Sequence, residues 1–92
     1  MHVYLKAIGM FTQYLGKEPI QVELEERATV RDLFGHIDRC LADRFPEYLW
    51  NPEKRRFRGP VVISIDKKVT TDLAVQLEEG QEIQVIKAFV GG

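Results

Sequence analysis

The sequence has a single cysteine, Cys40, and only two histidines, His2 and His36, in 92 residues. One thiol cannot close an internal disulfide, nor hold an iron–sulfur cluster or a structural zinc ion. His2 and His36 lack a metal-ligand spacing, and no serine or aspartate pattern around them makes a catalytic triad. An excess of either charge is also missing, since 13 basic and 14 acidic side chains leave a net charge of −1. That balance creates no global field for nucleic acid or an anionic membrane, and neither is expected as a partner. Long apolar runs are absent too. Lys6 interrupts the stretch from Val3 to Phe11, so no signal peptide or membrane-spanning helix is expected, and the cytoplasm is the expected compartment. Neither a bound metal nor a bound cofactor is expected.

What remains is enough for one modest core. The hydrophobic content is 45 %, and a chain of this length buries roughly 60–65 % of its unfolded surface. Residues 2–11 read as a strand with Val3, Leu5, Ala7, Gly9 and Phe11 on one face and Tyr4, Lys6, Ile8 and Met10 on the other. Residues 12–18 read as a turn. Ile20, Val22 and Leu24 alternate with polar residues, which predicts a half-buried strand hairpinned to the first. Thr29 and Asp32 form a capping-box signature. Val30, Leu33, Phe34, Ile37, Leu41 and Phe45 then make one helical stripe, which Pro46 stops. Cys40 is expected to be a buried small hydrophobe beside that stripe.

Residues 46–60 read as an irregular, packed excursion with Trp50 as an anchor. Lys54, Arg55, Arg56 and Arg58 are read as a solvated basic loop, with an acidic partner surface or an anionic pterin or nucleotide as the alternative ligand. Residues 61–65 predict a buried β-branched strand, Asp66-Lys67-Lys68 a turn, Val69-Thr70 a short return strand, and residues 82–89 a final strand. The order is an α+β roll: a mixed sheet of four to five strands packed on one main helix. The crossover rule places the first and last strands parallel at the sheet centre. Residues 1–92 are expected to be a single domain of this β-grasp type, with 89–92 as a projecting C-terminal tail.

The end of the sequence, LEEGQEIQVIKAFVGG, together with the start VYLKAIGMFTQYLG and the helix opening ATVRDLF, resembles the MoaD/ThiS family of ubiquitin-like sulfur carriers. The segment around Phe45-Pro46 and the strand of residues 61–65 are similar to the longer molybdopterin synthase small subunits. Lys87-Ala88 departs from the proline common before the tail in members that serve molybdopterin. The resemblance implies that a ubiquitin-activating-like adenylyltransferase, using ATP, adenylates the Gly92 carboxylate. Persulfide or sulfide then displaces AMP to leave a thiocarboxylate. The sulfur passes to an acceptor such as the molybdopterin synthase large subunit. Sulfur carriage for thiamine or cysteine synthesis, conjugation to proteins through Gly92, and an interaction module with an inert tail are the alternative readings.

The chemistry suits the residues. Gly91 and Gly92 lack Cβ atoms and can thread a narrow channel to an ATP site. Ordering about four tail residues costs roughly 4–8 kcal/mol of backbone entropy. Burying about 300 Å² of apolar surface elsewhere contributes roughly 7 kcal/mol. A docking patch on the body is therefore expected, and strand alternation offers Ile8, Val62 and Ile86, with Met10, Ser64 and Ala88 nearby. Phe89 and Val90 are expected to lead into the tail channel. The competing reading has the Tyr48–Phe57 excursion covering that patch.

Overall fold

A computed structural model describes residues 1–87. The first strand, β1, spans His2–Ala7, and its inward residues Val3, Leu5 and Ala7 are buried. It ends earlier than its alternation predicts. Gly9 takes φ +64°, a conformation that ends the extended run, and residues 9–11 wind into a 3₁₀ turn that continues as α1, Thr12–Leu15. Residues 12–18 are therefore largely helical, not a plain turn. Phe11 drives this change of direction, because its ring is fully buried, 5.0 Å from the ring of Phe57. The chain returns antiparallel as β2, Ile20–Glu23, with Val3 opposite Val22.

The main helix, α2, spans Val30–Cys40. Its capping box is present: Asp32 N–H donates to Thr29 Oγ1, and Thr29 N–H donates to Asp32 Oδ2 at 2.8 Å. Two further N-terminal donors, the N–H groups of Val30 and Arg31, reach the carbonyls of Val75 and Leu73 at 3.0 and 2.9 Å. The 71–80 loop thus completes the helix start. Val30, Leu33, Phe34 and Ile37 are buried against the sheet. The helix stops at Cys40 rather than running to Pro46, and residues 42–44 tighten into a 3₁₀ turn. Cys40 is exposed, contrary to expectation, because it sits on the last turn off the buried row. Gly35 costs about 1 kcal/mol of helix propensity relative to alanine. Packing does not demand it, since a Cβ there would meet nothing closer than the end of the Arg39 side chain at 3.4 Å.

Residues 46–60 are more ordered than their irregular pattern implies. Trp50–Asn51 (β3) pairs antiparallel with Arg56–Phe57 (β4) in a separate two-stranded hairpin. Trp50 and Phe57 are inside, packed edge-on at 4.9 Å, and both rings meet Phe34 of α2. Trp50 Nε1–H donates to Asp38 Oδ1 at 2.8 Å, so Trp50 anchors the segment as expected. Arg58 Nε donates to the carbonyls of Glu47 and Trp50 at 2.9 and 3.2 Å. The excursion therefore extends the core on the helix side.

Val61–Ile65 forms β5 and Lys68–Thr70 forms β6, joined by Asp66 and Lys67 at φ 48° and 71°. Positive φ at both turn residues is the twist-matching hairpin geometry. Glu82–Lys87 forms β7. The five-stranded sheet runs β2-β1-β7-β5-β6, with β1 and β7 parallel at its centre. This is the expected β-grasp topology, and α2 covers one face of it.

Candidate functional site

The functional reading centres on the sheet face away from α2. In β7, Ile83 and Val85 are fully buried toward the helix, so Glu82, Gln84 and Ile86 point to the opposite face. Ile86 lies directly across from Val62 of β5. Ile8 is extended, and its N–H donates to the carbonyl of Val85 at 3.1 Å. That bond continues the parallel ladder one step beyond Ala7 and sets Ile8 beside Ile86 on the other flank. Ile8, Ile86 and Val62 therefore form a row across three strands, each half-buried. The row stands at the end of the sheet where β7 leads into residues 88–92.

The other end of the face is polar. Gln84 Nε2 donates to Glu82 Oε1 at 3.0 Å, and Lys6 is the register partner of Gln84. Ser64, expected beside the apolar row, is 95 % buried between its cross-strand partners Gln84 and Val69 and offers little contact surface. Met10 does not share the strand alternation. It stands in the 3₁₀ turn and packs partly against the buried core. Two exposed apolar residues of this face were not singled out: Tyr4, 37 % exposed and opposite Glu82, and Val69, 68 % exposed and opposite Ser64; both stand toward the polar end, apart from the row. Tyr4 follows the outward alternation of β1, and Val69 follows from the turn at Asp66-Lys67, which sets the β6 register. Ala88, Phe89, Val90, Gly91 and Gly92, the remaining candidate residues, lie outside the described residues.

The residues 46–60 leave this face open, since Leu49, Trp50 and Phe57 are buried with Phe34, Phe45 and Phe11 on the helix side. The basic cluster sits on the β3–β4 hairpin. Asn51 Oδ1 accepts from the N–H groups of Glu53 and Lys54 at 3.0 and 3.2 Å, which shapes the hairpin turn. Arg55 lies 3.9 Å from Asp38 across to α2. The remaining titratable features are modest. Burial, and secondarily the charge of Arg39, hold the His36 pKa below its ordinary value. The hydroxyls of Tyr14 and Tyr48 meet at 3.2 Å, and that hydrogen bond is the main cause of a raised Tyr14 pKa. Among the described residues, no group of three or more His, Cys, Asp or Glu side chains is placed to hold a metal ion. No helix among them is long and apolar enough to cross a membrane.

No protein-family model matches the sequence, and no curated protein matches it. Solved structures do match. The crystal structure of SAMP1 from Haloferax volcanii superposes with a TM-score of 0.79 over 100 % of both chains at 13 % identity. A molybdopterin converting factor, subunit 1, from Pyrococcus furiosus matches with a TM-score of 0.69 at 23 % identity, covering 95 % of this chain and 98 % of that one. Urm1 from Trypanosoma brucei matches with a TM-score of 0.67 at 12 % identity, covering 99 % and 95 %. These likenesses establish the fold as a ubiquitin-like β-grasp, the fold that the sequence resemblance implies.

Proposed function

We propose that the chain is a MoaD/ThiS-type sulfur carrier whose Gly92 carboxylate is adenylated and converted to a thiocarboxylate, donating sulfur in molybdopterin biosynthesis. The observation that carries this reading is the row Ile8–Ile86–Val62, set at the end of the sheet from which β7 continues toward Gly91-Gly92. The likeness to a molybdopterin converting factor subunit supports the pathway.

The chemistry needs little from the carrier itself. A C-terminal carboxyl has an ordinary pKa of about 3.3–3.7 and is ionised at neutral pH. Its oxygen attacks the α-phosphorus of ATP in the activating enzyme, pyrophosphate leaves, and an acyl-adenylate forms. Hydrosulfide then attacks the carbonyl carbon, AMP leaves, and the thiocarboxylate remains. With a persulfide as donor, the product is an acyl disulfide, which a thiol must reduce to release the thiocarboxylate. Gly92 places no side chain beside the reacting carbonyl. The activating enzyme contributes the ATP site, and the acceptor, such as a molybdopterin synthase large subunit, receives the sulfur.

A second reading rests on the likeness to SAMP1, which a related solved structure describes as a small archaeal modifier protein. There the activated Gly92 carbonyl is attacked by a lysine amine, giving an isopeptide bond. The two readings share adenylation and diverge afterwards. Incubation with an activating enzyme, ATP and sulfide, followed by intact mass, tests the first. Exchange of one terminal oxygen for sulfur, absent after Gly92 is deleted, is the expected result. Adducts to lysines of other proteins without a thiocarboxylate would favour the modifier. No mass change with a competent enzyme would refute the carrier role.

A further inference from the structure

The register of β5 against β7 sets a length relation at the end of the sheet. Val61 pairs with Lys87, and Val62 with Ile86. Five residues, 88–92, follow Lys87, and five, 56–60, precede Val61. A tail run back along residues 60–56 therefore brings position 92 level with Arg56, a span of about 17 Å for five extended residues. Two adjoining cavities lie along that path and share Arg56, Phe57 and Gly59. The nearer, of about 230 Å³, is walled by Phe34, Phe57, Pro60, Val61 and Leu73. The farther, of about 370 Å³, is edged by Lys54, Arg56 and Arg58.

The charge there is of one sign. Among the described residues no carboxylate lines either cavity, and all three cations are exposed. Asp72 stands between the wall residues Thr71 and Leu73 but is turned to its own loop, where its Oδ1 accepts from the N–H of Ala74 at 2.9 Å. Arg58 is held in place by the carbonyls of Glu47 and Trp50, to which its Nε donates. An occupant that suits both cavities is apolar near β7 and anionic farther on. The sequence after Lys87, Ala-Phe-Val-Gly-Gly, has that character in that order.

We propose that residues 88–92 dock on the chain itself, with Phe89 in the apolar cavity and the Gly92 carboxylate among Lys54, Arg56 and Arg58. Phe89 carries the parity of Ile83 and Val85, which face α2, and the apolar cavity lies on that side because Phe34 of α2 walls it. This cavity is smaller than the roughly 300–1,000 Å³ usual for a free small molecule, which favours a single side chain as its occupant. Gly91 and Gly92 have no side chains to obstruct their approach to Gly59 and Arg56. The docked tail hides the carboxylate that sulfur carriage needs. A partner that requires the tail extended binds more weakly in proportion to the fraction held. The row Ile8–Ile86–Val62 stays open on the other side of the sheet, so a partner can dock there first and draw the tail out afterwards. The proposal rests on the carrier reading only in taking Gly92 as a free carboxylate end.

The test uses no activating enzyme, so its failure is distinct from failure of the carrier role. The isotope-labelled full chain is observed through nuclear Overhauser contacts and amide shifts. The expected result is contact between the Phe89 ring protons and the methyl groups of Val61 and Leu73, with a Gly92 amide shift that moves on adding salt. Phe89→Ser is expected to displace the amide shifts of Phe57, Gly59 and Leu73. Arg56→Glu, at an exposed position, is expected to weaken the Phe89 contacts about two- to fivefold, as one exposed ion pair is lost. Absence of those contacts, or cavity amides indifferent to Phe89→Ser, would overturn the proposal. Tail shifts indifferent to both salt and Arg56→Glu would do the same. So would inorganic phosphate that saturates shifts at Lys54, Arg56 and Arg58 while leaving the tail unmoved, since the cations would then serve a free anion.

Discussion

Replacing Ile86 by aspartate separates docking from folding. Ile86 points away from α2 and pairs with Val62 across β5. Losing that apolar cross-strand pair costs about 0.2–1 kcal/mol, and the poor strand propensity of aspartate adds up to about 1 kcal/mol. The sum is small against a typical domain stability of about 5–15 kcal/mol, so the variant stays folded. Docking suffers more. Burying an isoleucine side chain under a partner is worth about 1.5–3 kcal/mol. At about 1.4 kcal/mol per tenfold, that is a roughly 10- to 150-fold loss of affinity for the activating enzyme. Desolvating the new carboxylate adds to the loss. The assay is titration calorimetry against that enzyme, with circular dichroism to verify the fold. Val85→Asp is the matched control. One residue away, it points to the fully buried face, and it is expected to unfold the domain. Folded Ile86→Asp protein binding with unchanged affinity would refute the assignment of this face.

Thr29→Ala removes one half of the capping box and should cost about 1 kcal/mol in urea denaturation. Thr29→Ser should restore most of it. Trp50→Phe keeps an aromatic side chain but removes the donor to Asp38 and trims the buried indole to a phenyl ring; the lost hydrogen bond should cost about 1–2 kcal/mol and the cavity should add to it, read from the same denaturation curves. His36 has a folded pKa below its ordinary value of 6.5 because of burial and then Arg39. Between that lowered value and 6.5 the unfolded chain binds more protons, so stability falls as pH drops through the window and levels off below it. His36→Gln should flatten this part of the pH–stability profile, and an unchanged slope would refute the reasoning.

The fold was legible wherever a pattern ran long enough to declare its period. Val30 to Ile37 repeats over several turns and carries its own cap, and α2 follows it. The parallel centre followed from chirality, because a helix between two strands of one sheet leaves few ways to close it. Short runs failed. Residues 9–15 supply too few apolar positions to distinguish a period of two from one of 3.6, and only the burial of Phe11 decides for helix. The strands β3 and β4 have two residues each, below any detectable alternation, and Arg55 adopts φ 52° without the glycine or asparagine that flags such a turn. The open face was legible at Ile8, Val62 and Ile86 because strand alternation alone locates them. Val69 escaped because its facing depends on the register of β6, which the turn at Asp66-Lys67 sets.

The pairing of β1 with β7 has a consequence for biosynthesis. The two strands at the sheet centre come from opposite ends of the chain. A nascent chain still missing β7 has a gap between β1 and β5, with unpaired strand edges on both sides and no closed core. Closure of the core must therefore wait until β7 has been made and is free to insert, as expected of a topology dominated by non-local contacts. The same arrangement acts as a length check. Ile8, Val62 and Ile86 come into line only once β7 has been inserted, so any molecule presenting that row has been translated at least through Lys87.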